Sequence, residues 1–348
     1  MVKSTIFECE MKDKKKILFI YTNFSSFVKT DWEILSKKYQ VTKYQFRPVK
    51  GLVKTAIQFI RQFFFLLFQF WKFDAVFVWF ADYHSFMPVL FAKLTGKKSF
   101  VVVGGYDICR IKSLNYGVFI SRFRGFFAYQ SMKLCSCNLT VSNYVDRKVK
   151  WVVPNSKRKL IYNSVRLENT KSPIQKQDLI LTVGQIDNKQ TFYRKGIDTF
   201  IEIAKRLPNY KFLIVGIDLS LINNLEIDLP TNIKTCKKVP QQELKKYYSE
   251  AKIYAQFSRM DTFCLTLAEA MLFECFPVIS NEGGMPEVVG NTGLILKRNT
   301  DLIAREISKK IENFDALDTG QIKSRILIKF SIEQRKKEIL KQAHVNTI

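Results

Sequence analysis

The sequence holds few of the residues that bind metal ions or crosslink a chain. Its 348 residues include two histidines and seven cysteines, of which only Cys135 and Cys137 lie close together. There is no Cys-x-x-Cys pair, so the pattern argues against a zinc site. There is also no Asp-x-Asp motif for a divalent metal. An odd number of scattered cysteines, with Cys9 among them, indicates reduced thiols in a cytoplasmic protein.

Long apolar runs are missing as well. No run approaches the roughly 20 apolar residues that cross a bilayer. The N-terminus carries charges and no sustained apolar segment, so we expect no secretory signal. The sequence has no internal repeat, and a hydrophobic content of 47% argues against a disordered chain. The length suits two domains with ordinary cores.

Acidic residues are scarce in the first half of the chain. Residues 1–168 hold 29 Lys and Arg against 10 Asp and Glu, a net charge of +19, whereas residues 169–348 hold 27 against 21. The total of +25 indicates an anionic partner, which is nucleic acid, an acidic membrane or a phosphorylated substrate. The first half also contains 21 of the 30 Phe. Basic and aromatic residues together fit a membrane surface as well as they fit nucleic acid.

Residues 53–73 are predicted to form a helix that has two interpretations. The segment carries Lys54, Arg61 and Lys72 among its aromatic residues. It is either part of a buried core or an aromatic face with basic flanks that lies in a membrane interface. The aromatic content of this basic half favours the membrane, and residues 122–127 repeat the pattern. We therefore expect peripheral binding to an anionic membrane surface, at the inner face of the membrane.

Buried-strand patterns alternate with helical patterns along the chain, which predicts an α/β protein. The predicted strands cover 17–22, 41–46, 75–80, 97–103, 138–142, 159–162, 179–183, 211–215, 252–257 and 277–279. The predicted helices include 27–38, 53–73, 197–206, 265–272, 300–314, 320–329 and 331–341. A polar stretch at 166–177 has the composition of a linker. It separates a first domain, 1–168, from a second domain, 178–330.

The stretch 258–286 concentrates residues that suit ligand binding. Asp261 and Glu269 are eight residues apart and bracket the start of a predicted helix, and Gly283 and Gly284 follow a short predicted strand. Carboxylates can bind sugar hydroxyls, and a glycine loop brings backbone N–H groups close to an anion such as phosphate. The combination indicates a site for a nucleotide-sugar.

This stretch resembles the donor-site signature of the retaining glycosyltransferases of family 4. That signature is an acid, seven residues, Glu-Ala-Met, then Pro-Val and a Gly-Gly-x-x-Glu loop. Here it reads Asp261, seven residues, Glu269-Ala270-Met271, Pro277-Val278 and Gly283-Gly284-Met285-Pro286-Glu287. Upstream, Gly184-Gln185 and Arg194-Lys195-Gly196 resemble the family's Val-Gly-Arg and Lys-Gly segments, with Gln185 in place of Arg.

The resemblance implies the GT-B fold, in which two Rossmann-like domains face a cleft. The first domain is on the acceptor side, and the C-terminal segment, 331–348, packs back onto it. The resemblance also implies retaining, metal-independent transfer of a hexose in the synthesis of cell-surface glycans. The donor is a nucleotide-sugar and the acceptor is a saccharide or a lipid-linked saccharide. No cofactor is implied, because the nucleotide-sugar is a substrate.

The resemblance implies two sets of site residues. The catalytic set is Arg194, Lys195, Asp261 and Asp107, and the donor-binding set is Gly184, Gln185, Glu269, Gly283, Gly284 and Met285. The two cations and the Gly283–Met285 amides stabilise the departing diphosphate. Glu269 binds the ribose and Asp261 orients the donor sugar. Asp107 lies in a loop that in the family faces the acceptor, near the position of a histidine that is absent here.

Two other functions stay open at this point. Gln185, Asp261 and the absent loop histidine are compatible with an inactive protein that binds sugar nucleotides. The charge of +25 is compatible with a nucleic-acid-binding protein. However, the sequence contains no nucleic-acid-binding motif, so nucleic acid is not an expected partner.

Overall fold

The computed structural model describes residues 14–49, 51–166 and 175–343. Cys9, the N-terminal segment tested for a secretory signal and most of the predicted linker lie outside the described residues. The chain divides into two compact units. The first unit holds the described residues up to Tyr162 together with those from Arg335 onwards, and the second holds the described residues of Asn163–Gln334.

Strands and helices alternate in both units. The strands are β1 Lys16–Tyr21, β2 Gln40–Gln45, β3 Ala75–Trp79, β4 Lys98–Val103, β5 Cys137–Thr140, β6 Arg158–Leu160, β7 Gln177–Ile186, β8 Lys211–Ile217, β9 Ile233–Cys236, β10 Ala251–Gln256, β11 Phe276–Ser280 and β12 Leu294–Leu296. The helices are α1 Ser26–Ser36, α2 Leu52–Gln69, α3 Tyr83–Leu94, α4 Arg122–Leu134, α5 Asn143–Val152, α6 Lys189–Lys195, α7 Ile197–Arg206, α8 Leu219–Asn224, α9 Gln241–Glu250, α10 Leu265–Leu272, α11 Met285–Val289, α12 Thr300–Glu312, α13 Thr319–Lys329 and α14 Ile332–Gln342. Short 3-10 helices cover Phe70–Lys72, Tyr106–Ile108, Lys112–Leu114, Val118–Ile120 and Phe314–Ala316.

The first unit is built on a parallel sheet in the order β2-β1-β3-β4-β5-β6. Its central strands are continuous apolar runs, because helices cover both faces of a parallel sheet. Phe19 of β1 lies opposite Phe77 of β3, and their rings stack with centroids 5.5 Å apart. The order of the strands reverses between β1 and β3, which places the ligand-binding edge at their carboxyl ends.

The second unit repeats this architecture with the order β12-β11-β10-β7-β8-β9. The order reverses between β7 and β10. In open parallel sheets of this kind, ligands bind outside the carboxyl ends of the strands at such a reversal. The carboxyl end of β7 is the Gly184–Ile186 stretch, and that of β10 is Gln256.

The predicted strands and helices are confirmed within a few residues of their predicted ends. The short helix α6, which Asn188 caps through a hydrogen bond from Thr191 N, was not among the predicted helices. Helix α3 was not predicted. It is apolar on most of its sides and contains Pro88, so it shows no clear 3.6-residue period.

The last helix contributes a buried cation to the first unit. Arg335 of α14 donates to both oxygens of Asp31 at 2.6 and 2.7 Å, and both side chains are almost fully buried. Its remaining N–H groups donate to the carbonyls of Ile161 and Tyr162 at 3.0 and 2.6 Å. These four bonds fasten Arg335 to helix α1 and to the segment that follows β6.

Candidate active site

The carboxyl edge of β7 and β10 brings together two of the residues predicted for catalysis. Lys195, at the end of α6, donates through Nζ to Asp261 Oδ2 at 2.7 Å, although the two are 66 positions apart in sequence. Only 14% and 13% of their side chains are exposed. Burial opposes both charges, but their mutual attraction raises the pKa of Lys195 and lowers that of Asp261. The pair therefore stays ionised at neutral pH.

Asp261 is also tied to the loop that begins the next helix. Its second oxygen, Oδ1, accepts from the backbone N–H of Cys264 at 2.8 Å. Cys264 has a left-handed backbone with φ of 63°, a conformation that residues other than glycine seldom adopt. The Asp261 carboxylate thus bonds to the turn through one oxygen and to Lys195 through the other, and these two contacts fix its orientation.

The glycine loop closes onto the same turn. Gly283 has φ of 64°, and a Cβ there would lie 1.9 Å from the carbonyl oxygen of Asp261, so only glycine fits. The N–H of Gly284 donates to that carbonyl at 2.8 Å. This corrects the prediction that the Gly284 amide binds phosphate, because its proton is already used inside the loop. Met285 starts α11 with its side chain fully buried.

Arg194 lies beside the lysine and is held by its backbone and its side chain. Its carbonyl accepts from the N–H of Arg259 at 2.8 Å, and its Nη1 donates to the carbonyl of Met260 at 3.3 Å. Arg259 in turn makes a two-pronged ion pair with Asp198 at 2.7 and 2.5 Å. Sequence reasoning did not single out Arg259, because its partner is 61 positions away and no motif links them.

The two residues at the end of β7 differ in their surroundings. Gly184 is adjacent to the lysine, since a Cβ built on it would lie 3.8 Å from Lys195 Cδ. Gln185 is exposed, and its amide donates to Asp187 Oδ2 at 2.8 Å. The residue that replaces the family's arginine is therefore engaged with a neighbouring acid.

Glu269 lies in the middle of α10 and is half-buried. Its Oε2 accepts a hydrogen bond from the hydroxyl of Tyr248 at 3.1 Å. Tyr248 was not predicted as a site residue, because it precedes β10 and only the tertiary fold brings it to the helix.

A cavity of about 330 Å³ opens at the carboxyl ends of β7 and β8. Its lining residues are Ile186, Asp187, Gly216, Ile217, Asp218, Ser220, Leu221, Asn224, Lys237 and Lys238. Lys237 and Asp218 form an ion pair at 2.8 Å at its rim. The cavity was not predicted, although a Gly-x-Asp sequence directly after a predicted strand was a usable signal. It shares the β7 edge with Gly184, so it extends the candidate site.

Asp107 belongs to the first unit and is fully buried. Its oxygens accept from the backbone N–H groups of Ala81, Gly104 and Gly105 at 3.0, 3.2 and 2.6 Å. Burial raises the pKa of Asp107 to about 6, and these three bonds oppose the rise. The expected orientation of this carboxylate toward an acceptor is therefore corrected: Asp107 supports the Gly104–Gly105 loop from within.

A second polar cluster lies above that loop. Arg124 of α4 makes a two-pronged ion pair with Asp82, the residue that caps α3, and donates to the hydroxyl of Tyr106 at 3.1 Å. The guanidinium lies over the rings of Tyr83 and Tyr106, 5.5 and 5.3 Å from their centroids. The carboxyl edge of the first sheet is thus lined by a neutralised ion pair and two tyrosines.

Comparison with known sequences finds similarity in the second unit. Residues 165–319 match the family described as "Glycosyl transferases group 1". An uncharacterised 41.2 kDa protein in the cps region of Klebsiella pneumoniae is 26% identical over 160 residues, which are 41% of this chain and 42% of that protein. A phosphatidylinositol N-acetylglucosaminyltransferase subunit of Arabidopsis thaliana is 23% identical over 143 residues, 38% of this chain and 32% of that protein. Each alignment thus spans less than half of the relative.

Solved structures resemble the chain over most of its length. Sucrose-phosphate synthase from Thermosynechococcus elongatus has a TM-score of 0.73 at 13% identity and covers 94% of this chain and 98% of its own. Anabaena HepE in complex with UDP-glucose has a TM-score of 0.66 at 13% identity, with the same coverage. The chain therefore has the GT-B fold, which confirms the predicted fold class. The family match covers 165–319, which lies within the second unit.

Proposed function

We propose that the protein transfers a hexose, with retention of configuration, from a nucleotide-sugar to a saccharide or lipid-linked saccharide acceptor. The observation that supports this most is the buried Lys195–Asp261 pair at the strand-order reversal of the family-matched unit. The complex of Anabaena HepE with UDP-glucose shows that a protein of this fold holds such a donor. Relatives in a capsule region and in glycolipid synthesis support an acceptor that becomes part of a surface glycan.

In this proposal the second unit binds the donor. The cavity beside Asp218 and Lys237 receives the nucleoside base, and Glu269 accepts hydrogen bonds from two ribose hydroxyls. Arg194 and Lys195 face the diphosphate. The backbone at Gly184, Gln185, Gly283 and Met285 completes the wall around it, and Asp261 orients the sugar.

The chemistry requires stabilisation of the leaving group. The bond between the anomeric carbon and the diphosphate oxygen breaks, and the same carbon bonds to the acceptor oxygen on the same face. The acceptor proton passes to the leaving phosphate oxygen. Negative charge on the diphosphate grows during this step, so fixed cations lower the barrier. Transfer without a bound metal ion is part of the proposal, and unchanged turnover in EDTA is its test.

The test of the donor site is the substitution Glu269→Gln. A hydrogen bond to a charged group contributes about 1.5–3 kcal/mol, so we expect nucleoside diphosphates to bind about 10- to 150-fold more weakly. The measurement is calorimetry with UDP, GDP, ADP and TDP, after a thermal-shift screen has chosen the best binder. Glu306→Gln, on helix α12, is the matched control, because Glu306 forms ion pairs with Arg305 and Lys309 on the same helix, away from the candidate site. Equal affinity in both variants refutes the assignment.

A further assay separates an enzyme from an inactive binder. Release of nucleoside diphosphate from the nucleotide-sugar that binds best, with and without added saccharides, reports turnover directly. Tight binding of the nucleotide-sugar without release of nucleoside diphosphate would favour an inactive sugar-nucleotide-binding protein. The hydrogen bond between Gln185 and Asp187 is the observation that favours this alternative, because Gln185 stands in place of the family's arginine.

The structure also supports the proposal of membrane docking through the first unit. Of the 18 residues of α2, only Gln62 and Leu66 are buried. The apolar side chains exposed on this helix and nearby are Leu52, Val53, Ile57, Ile60, Phe63, Phe64, Leu67, Phe68, Trp71, Phe123 and Phe126. We call them the apolar surface. Phe127 joins its two parts, since its ring lies 6.2 Å from Phe59 of α2 and 4.8 Å from Phe123 of α4.

Charge favours an anionic lipid surface as the partner of this face. Helices α2 and α4 contain no acid. Lys54 and Arg61 lie on α2, Arg122 lies on α4, and Lys72 lies on the 3-10 helix that follows α2. Each cation near an anionic bilayer contributes about 1 kcal/mol, so several are enough for reversible docking. In the part of the chain that the structure describes, no helix combines the length and apolarity that a membrane span requires. The proposal is therefore docking at the inner membrane face.

The test is a triple substitution, Phe64→Ser with Leu67→Ser and Trp71→Ser. These side chains are 50%, 39% and 69% exposed, so the fold should persist while sedimentation with phosphatidylserine vesicles is lost. Trp151→Ser is the control, because Trp151 is 80% exposed on α5, outside the apolar surface. Unfolding of the triple variant would show that the three residues are core. A wild type that never sediments at low salt would point to a soluble acceptor.

A further inference from the structure

A buried tyrosine contacts the acid to which the ribose is assigned. Tyr248, near the end of α9, is fully buried, and its hydroxyl donates to Glu269 Oε2 at 3.1 Å. A glutamate side chain has several rotamers, and fixing one of them costs conformational entropy when a ligand arrives. A hydrogen bond that fixes the carboxylate beforehand removes part of that cost from binding.

Tyr248 is itself held firmly. Its ring lies against those of Phe273 and Tyr254, with centroids 5.8 and 6.2 Å away. Its carbonyl accepts from Lys176 Nζ at 2.9 Å and from Cys275 Sγ at 3.0 Å. The hydroxyl therefore projects from a residue that is fixed at its backbone and at its ring.

Lys176 connects three chain segments around this residue. Besides its bond to the carbonyl of Tyr248, its ammonium group donates to the carbonyls of Ala251 and Phe273, both at 2.8 Å. These carbonyls belong to the start of β10 and the end of α10, the helix that carries Glu269. One cation thus ties Tyr248 to the helix whose carboxylate it contacts.

The hydroxyl keeps its proton across the physiological range. Burial raises the pKa of Tyr248 well above its usual value, and the nearby charge of Glu269 raises it further. The phenol is therefore a permanent hydrogen-bond donor to the carboxylate.

We propose that Tyr248 is a positioning residue for the donor: it orients Glu269 toward the ribose of a nucleoside-diphosphate sugar, with Lys176 as its outer support. The inference rests on the proposed function, because it takes Glu269 as the ribose ligand. It assigns to Tyr248 an effect on nucleotide affinity that acts only through Glu269.

The test begins with Tyr248→Phe, which removes one oxygen and keeps the ring. We expect nucleoside diphosphates to bind about 5- to 10-fold more weakly, because part of the cost of fixing the Glu269 rotamer then falls on binding. The Michaelis constant for the donor should rise by the same factor, while kcat changes less than about twofold. Lys176→Met should weaken nucleotide binding in the same direction, and it serves where the first variant is unstable.

The matched control is Tyr254→Phe. Tyr254 is as buried as Tyr248, but its hydroxyl donates to Thr266 Oγ1 at 2.8 Å and not to Glu269. Both variants should lose a similar amount of thermal stability, and only Tyr248→Phe should lose nucleotide affinity. Equal losses of affinity in the two would show a structural role only.

A double-substitution cycle with Glu269→Gln separates this inference from the proposed function. We expect Tyr248→Phe to weaken nucleotide binding much less when it is combined with Glu269→Gln than when it is made alone. If Glu269→Gln binds nucleotide normally, the ribose assignment and this inference both fail. If Glu269→Gln weakens binding and Tyr248→Phe does not, or acts equally in both backgrounds, only this inference is overturned.

Discussion

The buried ion pair between Arg335 and Asp31 allows a sharp prediction about stability. Replacing Arg335 by Met keeps an unbranched apolar stem but removes the guanidinium. Asp31 then loses both of its charged hydrogen bonds, and the carbonyls of Ile161 and Tyr162 each lose a donor. Asp31 has no exposed surface through which water could replace them.

The magnitude follows from this burial. Removing one partner of a buried pair typically costs about 3–5 kcal/mol, because the other charge is left uncompensated. Burial already raises the pKa of Asp31 and Arg335 opposes the rise, so the variant should have a still higher pKa. The ionised carboxylate is the costly form. The loss of stability should therefore shrink as pH falls toward about 3.9, the pKa of Asp in an unfolded chain, because Asp31 of the variant is then protonated.

The assay is urea unfolding of Arg335→Met at about pH 8 and about pH 5, followed by circular dichroism. Lys337→Met is the control, because Lys337 is exposed on the same helix and should lose less than about 0.5 kcal/mol. Adding Asp31→Asn to Arg335→Met should restore part of the loss, since it removes the orphaned charge. A loss below about 1 kcal/mol that is the same at both pH values would refute the reasoning.

Three further predictions concern the two edges of the sheets. Lys195→Ala should lower kcat more than it raises the donor KM, because the negative charge of the diphosphate that Lys195 is proposed to face grows in the transition state. Lys189→Ala, at the exposed start of α6, is the control. A change in KM alone would contradict the electrostatic role of Lys195. Gly283→Ala should lower both melting temperature and nucleotide affinity, because its Cβ would meet the carbonyl of Asp261 at 1.9 Å; a stable variant that binds normally would contradict this. Asp107→Asn should destabilise the protein by about 1–3 kcal/mol at low pH. The stability difference between wild type and variant should shrink as pH rises from about 3.9, the pKa of an unfolded Asp, to about 6, where the buried carboxyl of Asp107 ionises. A stability difference that does not change with pH would contradict the raised pKa of Asp107.

The fold was largely predictable because its sheets are parallel and buried. Strands covered on both faces are short apolar runs, such as Ala75–Trp79, and these stand out between polar turns. Helix α3 escaped prediction because apolar residues lie on most of its sides while His84 and Ser85 lie on its buried face, which removes the periodicity by which surface helices are recognised. The motif around Asp261 and Glu269 predicted a site in the part of the sequence that forms the carboxyl edge of β10, because the spacing of its acids and glycines is visible in the sequence.

The contacts of the site could not be predicted in the same way. The partner of Glu269 is a tyrosine on another helix, and the ion pair of Arg259 joins segments that sequence spacing does not relate. The amide of Gly284 looked available to an anion because loop closure is invisible in a sequence. Asp107 is an acid in the loop where the resemblance places an acceptor-facing residue. The direction of its side chain, however, depends on which backbone N–H groups the turn presents.

The position of Arg335 also sets an order of events during synthesis of the chain. Its partners Asp31 and Ile161 precede it by 304 and 174 residues. At translation rates of about 5–20 residues per second, Arg335 leaves the ribosome roughly 10 to 35 seconds after Ile161. During that interval the first sheet can assemble, but Asp31 has no cation to pair with. The first unit is thus the earliest to be translated and is completed only when the last helix arrives.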